Sequence, residues 1–330
     1  MMENQHLLRA SEMPVALLAA QPTRLEIQNI LCATDFSECS RNAFRYALRL
    51  SRYFQAQLFL QHTVSLSAAA FMEGGNGQAM RQALEAARQD ARRKMRSFIT
   101  DGGATPSEVT MVLNDGDIRE QLLQSISKEK IDLVIIGTHG RKGVNRLLLG
   151  SVAEHVIHES IAPVLVVSQP VADFGPAEFG RPVELRTILL STDFSPNAGR
   201  ALTYALRWAS EWGGKVILFH AVEKVPSEMK DIVDLFPEYN PYFEKQVAES
   251  WGRIRQLVPN ELKQRCEVVY EIRHGNPKEE ILKVAGEKHA DMIVMGARGL
   301  GRSAIAWGST VSGVVRDGRF PVLAIRHLVE

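Results

Sequence analysis

The stretch Cys32-Ala-Thr-Asp-Phe-Ser37 decides the fold, because it returns later in the chain as Leu190-Ser-Thr-Asp-Phe-Ser195. The two aspartates, Asp35 and Asp193, lie 158 positions apart. Other pairs keep this spacing to within one residue, among them Gly137 with Gly296 and Gly150 with Gly308. A period this long is far beyond the roughly 20–50 residues of a solenoid repeat. The repeat therefore predicts two homologous domains.

The composition excludes several classes of protein. The chain has 330 residues, 45% of them hydrophobic and 23% charged, with a net charge of +1. Such a balance gives no electrostatic reason to expect a nucleic-acid partner, and no apolar run reaches the roughly 18 residues that span a bilayer. The three cysteines show no CxxC spacing, so neither a disulfide framework nor a zinc site is indicated. We expect a cytoplasmic protein with no membrane partner.

The spacing of the two copies also predicts the domain boundaries. Between the copies lies a stretch with three prolines, two glycines and no hydrophobic period, which is typical of a linker. We expect a flexible N-terminal leader at 1–26, a first domain at 27–168, the linker at 169–186, and a second domain at 187–330.

Each copy alternates short β-rich runs with longer helical patterns, which is typical of a parallel sheet with crossover helices. The sequence therefore predicts an α/β protein of two tandem doubly wound domains, each a five-stranded parallel sheet of order 3-2-1-4-5 flanked by helices. In the first copy the second and third strands are predicted at Ala56–His62 and Glu108–Leu113.

Two segments of the first copy are predicted to meet at one end of its sheet. Asp35 directly follows the first strand, and the run from Gly137 to Ser151 leads from the fourth strand into a helix. In the order 3-2-1-4-5 the first and fourth strands are neighbours, and ligands bind outside their carboxyl ends. These segments therefore form the candidate ligand site.

The residue types in this site suit a phosphate. Gly137 and Gly140 let the backbone turn sharply and approach a ligand. Gly150 and Ser151 open a helix, whose free N–H groups and dipole favour an anion. Asp35 could accept hydrogen bonds from a ribose or hold a divalent cation. Cations on the loop, which could neutralise phosphate charge, are His139, Arg141 and Lys142.

Two of these residues also have a purely structural interpretation. Ser151 and Glu154 fit a capping box, in which Ser151 would only satisfy its own helix. Asp35 fits a turn residue before the cap Ser37. His62, at the end of the second strand, is expected to be a hydrogen-bonded core histidine. The sequence alone leaves the alternatives for Ser151 and Asp35 open.

The motif G-x2-G-x9-G-[S/T], matched by Gly137, Gly140, Gly150 and Ser151, resembles the nucleotide-binding signature of universal stress proteins. The resemblance extends over both copies, and it implies a tandem universal stress protein. For the first copy it implies ATP or another adenine nucleotide, whose adenine and ribose would lie near Ala33, Asp35 and Thr63. We expect Mg²⁺ with this nucleotide, and Asp35 could help to hold the ion. The nucleotide-binding residues it implies there are Ala33, Thr34, Asp35, Thr63, Gly137, His139, Gly140, Arg141, Gly150, Ser151 and Val152.

The second copy departs from that signature, since only eight residues separate Gly299 from Gly308. A loop shortened by one residue moves its backbone by up to about 3.5 Å, which displaces an N–H donor from a phosphate. Arg298 and Arg302 could compensate. We expect a weaker or altered second site, formed by Ser191, Asp193, Ala221, Gly296, Arg298, Gly299, Gly308, Ser309 and Thr310.

The resemblance implies a nucleotide-responsive regulator of a stress response. A slow ATPase or autophosphorylating enzyme is the first alternative, and a chaperone-like protein with vestigial sites is the second. We predict no catalytic residue, since no Walker A, kinase, HExxH or GxSxG motif is present. We expect an intramolecular domain pair through the apolar fifth strands, a possible homodimer, and protein partners that the sequence does not name.

Overall fold

The computed structural model describes residues 25–65, 77–138, 149–167, 185–222, 240–258, 260–263, 266–299 and 309–326. Within it the chain divides into two compact units, one built mainly on Glu26–Val183 and the other mainly on Glu184–Val314. The predicted leader and linker lie almost wholly outside the described residues.

The first unit contains five parallel strands in the order β3-β2-β1-β4-β5, as the sequence predicts. Helices of more than eight residues connect them. The described elements are β1 (Asn29–Ala33), α1 (Glu38–Phe54), β2 (Gln57–Val64), α2 (Gly77–Asp101), β3 (Val109–Asp115), α3 (Ile118–Lys128), β4 (Leu133–Gly137), α4 (Ser151–Glu159) and β5 (Val164–Val167).

The second unit repeats this arrangement, with parallel strands in the order β8-β7-β6-β9-β10. Its described elements are β6 (Thr187–Ser191), α5 (Pro196–Glu211), β7 (Lys215–Val222), α6 (Asn240–Gln256), α7 (Asn260–Lys263), β8 (Glu267–His274), α8 (Pro277–Glu287), β9 (Met292–Gly296), α9 (Ser309–Asp317) and β10 (Val322–Ile325). The predicted fold class is confirmed in both units.

The central strands are apolar throughout because helices cover both faces of each sheet. In β1 the side chains of Ile30, Leu31 and Cys32 are completely buried. Burial raises the pKa of the Cys32 thiol well above its usual range, so this thiol stays protonated in the core. Its role is that of a small apolar core residue, as the sequence indicates.

The aspartate that precedes the fourth strand in each copy anchors the first strand. Asp132 Oδ2 accepts hydrogen bonds from the backbone N–H groups of Gln28 at 2.8 Å and Asn29 at 2.9 Å. In the second unit Asp291 does the same for the backbone at the start of β6. These bonds lie at the amino end of the sheet, so the repeated aspartate serves the fold rather than the predicted site.

The second and third strands are longer than the sequence predicts. Parallel pairing of β2 with β3 continues to the partners Thr63–Asn114 and Val64–Asp115. Asn114 and Asp115 are residue types that strands disfavour, but pairing with a neighbouring strand overrides that preference. As a result, Thr63 lies inside β2 at the carboxyl edge of the sheet.

Candidate functional site

The chain leaves β1 through a tight turn that begins helix α1. Thr34 Oγ1 accepts a hydrogen bond from the Phe36 N–H at 3.0 Å, and Asp35 Oδ1 accepts one from the Ser37 N–H at 3.0 Å. Ser37 Oγ in turn accepts from the Ser40 N–H and caps α1. The predicted turn role of Asp35 is therefore observed, and a contact with ribose or a cation stays a prediction.

An unusual backbone conformation in this turn is supported by β2. Phe36 has a φ of 65°, in the left-handed region that bulky residues rarely adopt. Its ring centre lies 4.4 Å from that of His62, and His62 Nδ1 lies 2.8 Å from the carbonyl oxygen of Thr34. His62 is thus the hydrogen-bonded histidine that the sequence indicates. It ties the end of β2 to the turn that carries Asp35.

Gly137, at the end of β4, has a packing role. A Cβ at this position would lie 2.8 Å from the carbonyl carbon of Cys39 and 2.9 Å from its oxygen. Only glycine therefore lets the end of β4 contact the first turn of α1. The sequence analysis explained this glycine by the freedom of its backbone to turn and approach a ligand. The structure gives a different reason, which is close packing against α1.

Helix α4 begins at the predicted phosphate position without a side-chain cap. The N-cap residue is Gly150, which forms no side-chain hydrogen bond to the helix, and Ser151 is the exposed first helical residue. The capping-box interpretation of Ser151 is therefore wrong, since a capping serine must stand one position earlier. The first N–H groups of this nine-residue helix are thus left without the side-chain acceptor that a capping serine would supply.

A backbone hydrogen bond holds this helix start beside the end of β4. The Gly150 N–H donates to the carbonyl oxygen of Thr138 at 2.8 Å. Strand β4 pairs directly with β1, through Cys32 and Ile135 among others. The start of α4 and the turn at Asp35 therefore follow neighbouring strands at the same edge. His139, Gly140, Arg141 and Lys142 lie outside the described residues.

A polar patch lies on one face of β2 and β3, and the sequence analysis named Thr63 in it but missed Gln61 and Asn114. Thr63 is buried, and its partner Asn114 donates from Nδ2 to Ser125 Oγ of α3 at 3.3 Å. Gln61, two residues before Thr63 on the same face, is only 1% exposed. The available signal was a glutamine directly after the apolar run Leu58-Phe-Leu60, at a position where the second copy has Phe219.

The second unit contains the same turn with nearly the same geometry. Thr192 Oγ1 accepts from the Phe194 N–H, and Asp193 Oδ1 accepts from the N-cap residue that follows, both at 3.0 Å. Phe194 has a φ of 61°, and His220 Nδ1 lies 2.8 Å from the Thr192 carbonyl oxygen. The turn is therefore common to both units, whatever the length of their glycine loops.

The start of the second glycine loop lies directly against the aspartate of this turn. A Cβ on Gly299 would lie 2.6 Å from Asp193 Oδ2, so the two predicted segments do converge in this unit. Gly296 repeats the packing role of its counterpart, because its Cβ would lie 2.7 Å from the Cβ of Asn197 and 2.9 Å from the backbone nitrogen of Ala198. The close backbone of Gly299 leaves little room around Asp193.

Charged groups replace the polar patch in the second unit. The position of Asn114 is taken by Arg273, which forms ion pairs with Glu271 and with Glu287 at 2.6 Å. Burial alone would raise the pKa of Glu271, but hydrogen bonds from Arg273 and Lys288 hold that pKa below its usual range. Ser191, Ala221, Arg298 and Thr310 are described at this edge, as is the backbone of Ser309, whereas Gly308 and Arg302 lie outside the described residues.

Two further observations limit the kinds of site. Within the described ranges, no three His, Cys, Asp or Glu side chains form a group able to hold a metal ion. A cleft of about 520 Å³ is lined by Arg186, Lys215 and Glu267 among others. It lies at the amino ends of β6, β7 and β8, the end at which this class of sheet does not bind ligands.

The chain belongs to the universal stress protein family. The model of that family matches residues 26–168 and again residues 184–326, so the two units are tandem members. The geometry agrees with this result, since each unit is a doubly wound sheet with a loop and helix start at the switch point. In the described part of the chain, no helix is both long and apolar enough to cross a membrane.

Similar proteins cover either both units or one. A universal stress protein of Mycolicibacterium smegmatis is 26% identical over 311 residues, which is 90% of this chain and 96% of its own length. The crystal structure of a universal stress protein from Archaeoglobus fulgidus has a TM-score of 0.62 at 22% identity and covers 93% of this chain and 98% of its own. A third relative, a universal stress protein solved in complex with cAMP, is 23% identical over 43% of this chain and 98% of its own, with a TM-score of 0.29.

Proposed function

We propose that the first unit binds ATP or another adenine nucleotide, and that the protein is a nucleotide-responsive regulator in a stress response. The observation that carries the proposal is the start of α4, which has no side-chain cap and is held at the end of β4, the strand next to the one that leads to Asp35. Free N–H groups at a helix start, together with the helix dipole, favour a phosphate group. The glycine spacing of the family signature supports the same position.

The described residues suggest how such a ligand would be held. The first backbone N–H groups of α4 and the hydroxyl of Ser151 would donate to phosphate oxygens. Asp35, on the neighbouring strand end, would accept from a ribose hydroxyl or share a Mg²⁺ ion with the phosphates. The buried Thr63 lies where the base is expected. Bound ATP would supply a compact negative charge at this edge of the sheet, and that charge would change the surface offered to partners.

The second unit is proposed to bind nucleotide more weakly or in an altered way. Its loop is one residue shorter, and the backbone of Gly299 already lies against Asp193. A ribose or cation at Asp193 would have to displace that backbone. We therefore assign the principal site to the first unit.

Mass spectrometry of small molecules released from the denatured, freshly purified protein tests the proposal directly. We expect an adenine nucleotide, and calorimetry with added ATP and Mg²⁺ should show saturable binding. Steady release of ADP would support the slow ATPase instead, and a labelled protein would support autophosphorylation. Absence of any nucleotide, with no heat of binding, would favour an interaction protein with vestigial sites.

We further propose a cytoplasmic protein whose two units pair within one chain, with whole chains able to dimerise. The apolar fifth strand of each unit supports this, because an unpaired apolar edge strand promotes aggregation. Sedimentation measured with and without ATP tests the assembly. A change in mass on adding ATP would connect the assembly to the nucleotide.

A further inference from the structure

Gln61 is a buried amide without partners. It is 1% exposed, and neither Oε1 nor Nε2 has a hydrogen-bond partner in the ranges of the chain that the structure describes. An amide removed from water without hydrogen bonds destabilises a fold. Because such groups are rare in native proteins, each is expected to have a compensating role.

The position of Gln61 places it at the predicted base site. It pairs in register with Ala33 of β1, and its carbonyl oxygen accepts from the Thr34 N–H at 2.9 Å. Side chains alternate along a strand, so Gln61 shares a face with Thr63 and lies on the opposite face from His62. Ala33 and Thr63 are the residues expected to surround the base, and Gln61 lies between them on that face.

The second unit shows that the fold itself does not need an amide at this position. The counterpart of Gln61 is Phe219, which is completely buried in β7. Strand β7 has the same pairing pattern as β2, with Ser191 of β6 opposite Phe219. An apolar side chain therefore satisfies the sheet at this point, and the glutamine requires a reason specific to the first unit.

A carboxamide presents one acceptor and two donors side by side. The edge of adenine presents the matching pair, an amino group that donates and a ring nitrogen that accepts. We infer that Gln61 reads the base of the bound nucleotide, with Oε1 accepting from the amino group of adenine and Nε2 donating to the neighbouring ring nitrogen. This inference rests on the proposed function, and it adds the residue that selects adenine.

The test compares ATP with purine ribonucleoside triphosphate, which lacks only the amino group. Calorimetry on the full chain should show that the wild-type protein prefers ATP by about 5- to 150-fold, the range for a bidentate amide–base contact. In Gln61→Met, which keeps the side-chain length without the amide, the two ligands should bind equally. The same variant should unfold at an equal or higher denaturant concentration, because a buried unpaired amide has been removed.

A matched control is Phe219→Met, which changes the counterpart strand and should keep the wild-type preference. Retention of the preference by Gln61→Met would overturn the inference, and so would equal binding of the two ligands to the wild-type protein. If Gln61→Met fails to fold, Gln61→Leu provides the same comparison. A wild-type protein that binds neither triphosphate would overturn the proposed function itself, a result distinct from a lost preference.

Discussion

The turn at the carboxyl end of the first strand has the same structure in both units, whereas the residues on the nearby sheet face differ. In both, a Thr-Asp-Phe-Ser turn follows the first strand, with its phenylalanine in the left-handed region and a histidine on the next strand bound to the threonine carbonyl. The hydrogen bonds within the two turns agree to within 0.1 Å. This turn therefore belongs to the fold itself, and in each unit it connects the first strand, the helix that follows it and the second strand.

The differences lie on the sheet face where a base is expected. The first unit has Gln61, Thr63 and Asn114 there, which are polar and uncharged. The second has Phe219 and Ala221 at the first two positions, and an ion-paired arginine at the third. Because both units keep the turn, the turn alone does not distinguish a ligand site. The polar sheet face and the longer glycine loop do distinguish the first unit, where they occur together.

The largest expected effect compares the two glycine loops. In Gly140→Ala/Ser151→Ala, we expect ATP binding to weaken by about 2–3 kcal/mol, because hydrogen bonds to a charged phosphate are lost. The matching Gly299→Ala/Ser309→Ala should change the total affinity little. Calorimetry measures both. Loss of binding only in the second variant would show that the units have the opposite roles.

A second comparison tests the packing glycines. Gly137→Ala and Gly296→Ala should each lower the free energy of unfolding by about 1–3 kcal/mol, because the new methyl group overlaps the first turn of α1 or of α5. Gly252→Ala, on α6 with no atom within 4 Å of its Cβ, is the control and should raise stability by about 0.5–1 kcal/mol. Urea unfolding measures all three. An unchanged Gly137→Ala protein would contradict the packing role.

A third comparison separates the turn from the ligand role at Asp35. Both Asp35→Ala and Asp193→Ala remove a turn hydrogen bond, so each should cost about 1 kcal/mol of stability. Only Asp35→Ala should also weaken ATP binding, by about 1–3 kcal/mol.

Asp35→Asn keeps an oxygen for the Ser37 N–H and removes the charge, so it is the matched control. This variant should keep the stability of the wild-type protein, and any loss of its ATP affinity measures the contribution of the Asp35 charge. If Asp35→Ala binds ATP as the wild type does, Asp35 serves the turn alone.

The smallest expected effect concerns pH and the second unit. Burial lowers the pKa of His220, and the nearby Arg253 lowers it further. As the pH falls, His220 in the unfolded chain, with a pKa of about 6.5, therefore takes up a proton at a higher pH than His220 in the folded protein does. This part of the stability is fully present above pH of about 6.5 and is lost as the pH falls toward the folded pKa, by at most about 1.4 kcal/mol per pH unit. Urea unfolding between about pH 7 and about pH 5 should show this slope in the wild type and not in His220→Gln.

The repeat, the fold class and the strand order could be predicted from the sequence, because they depend on local patterns. Apolar runs alternate with helical periods in both copies, and a parallel sheet with crossover helices leaves few possible orders. The start of α4 at Ser151 was also predictable from the glycine before it. The lengths of β2 and β3 were not, since Asn114 and Asp115, which strands disfavour, stay in β3 through pairing with β2.

The sequence by itself determined that this is a tandem α/β protein and which loops follow its first and fourth strands. Only the tertiary structure decided what individual residues do there, because those roles depend on contacts between segments about 100 residues apart in the chain. Gly137 is a glycine because Cys39 lies against it, and Ser151 is not a cap because it is the first helical residue and Gly150 is the N-cap residue. The burial of Gln61 likewise depends on the tertiary packing around β2.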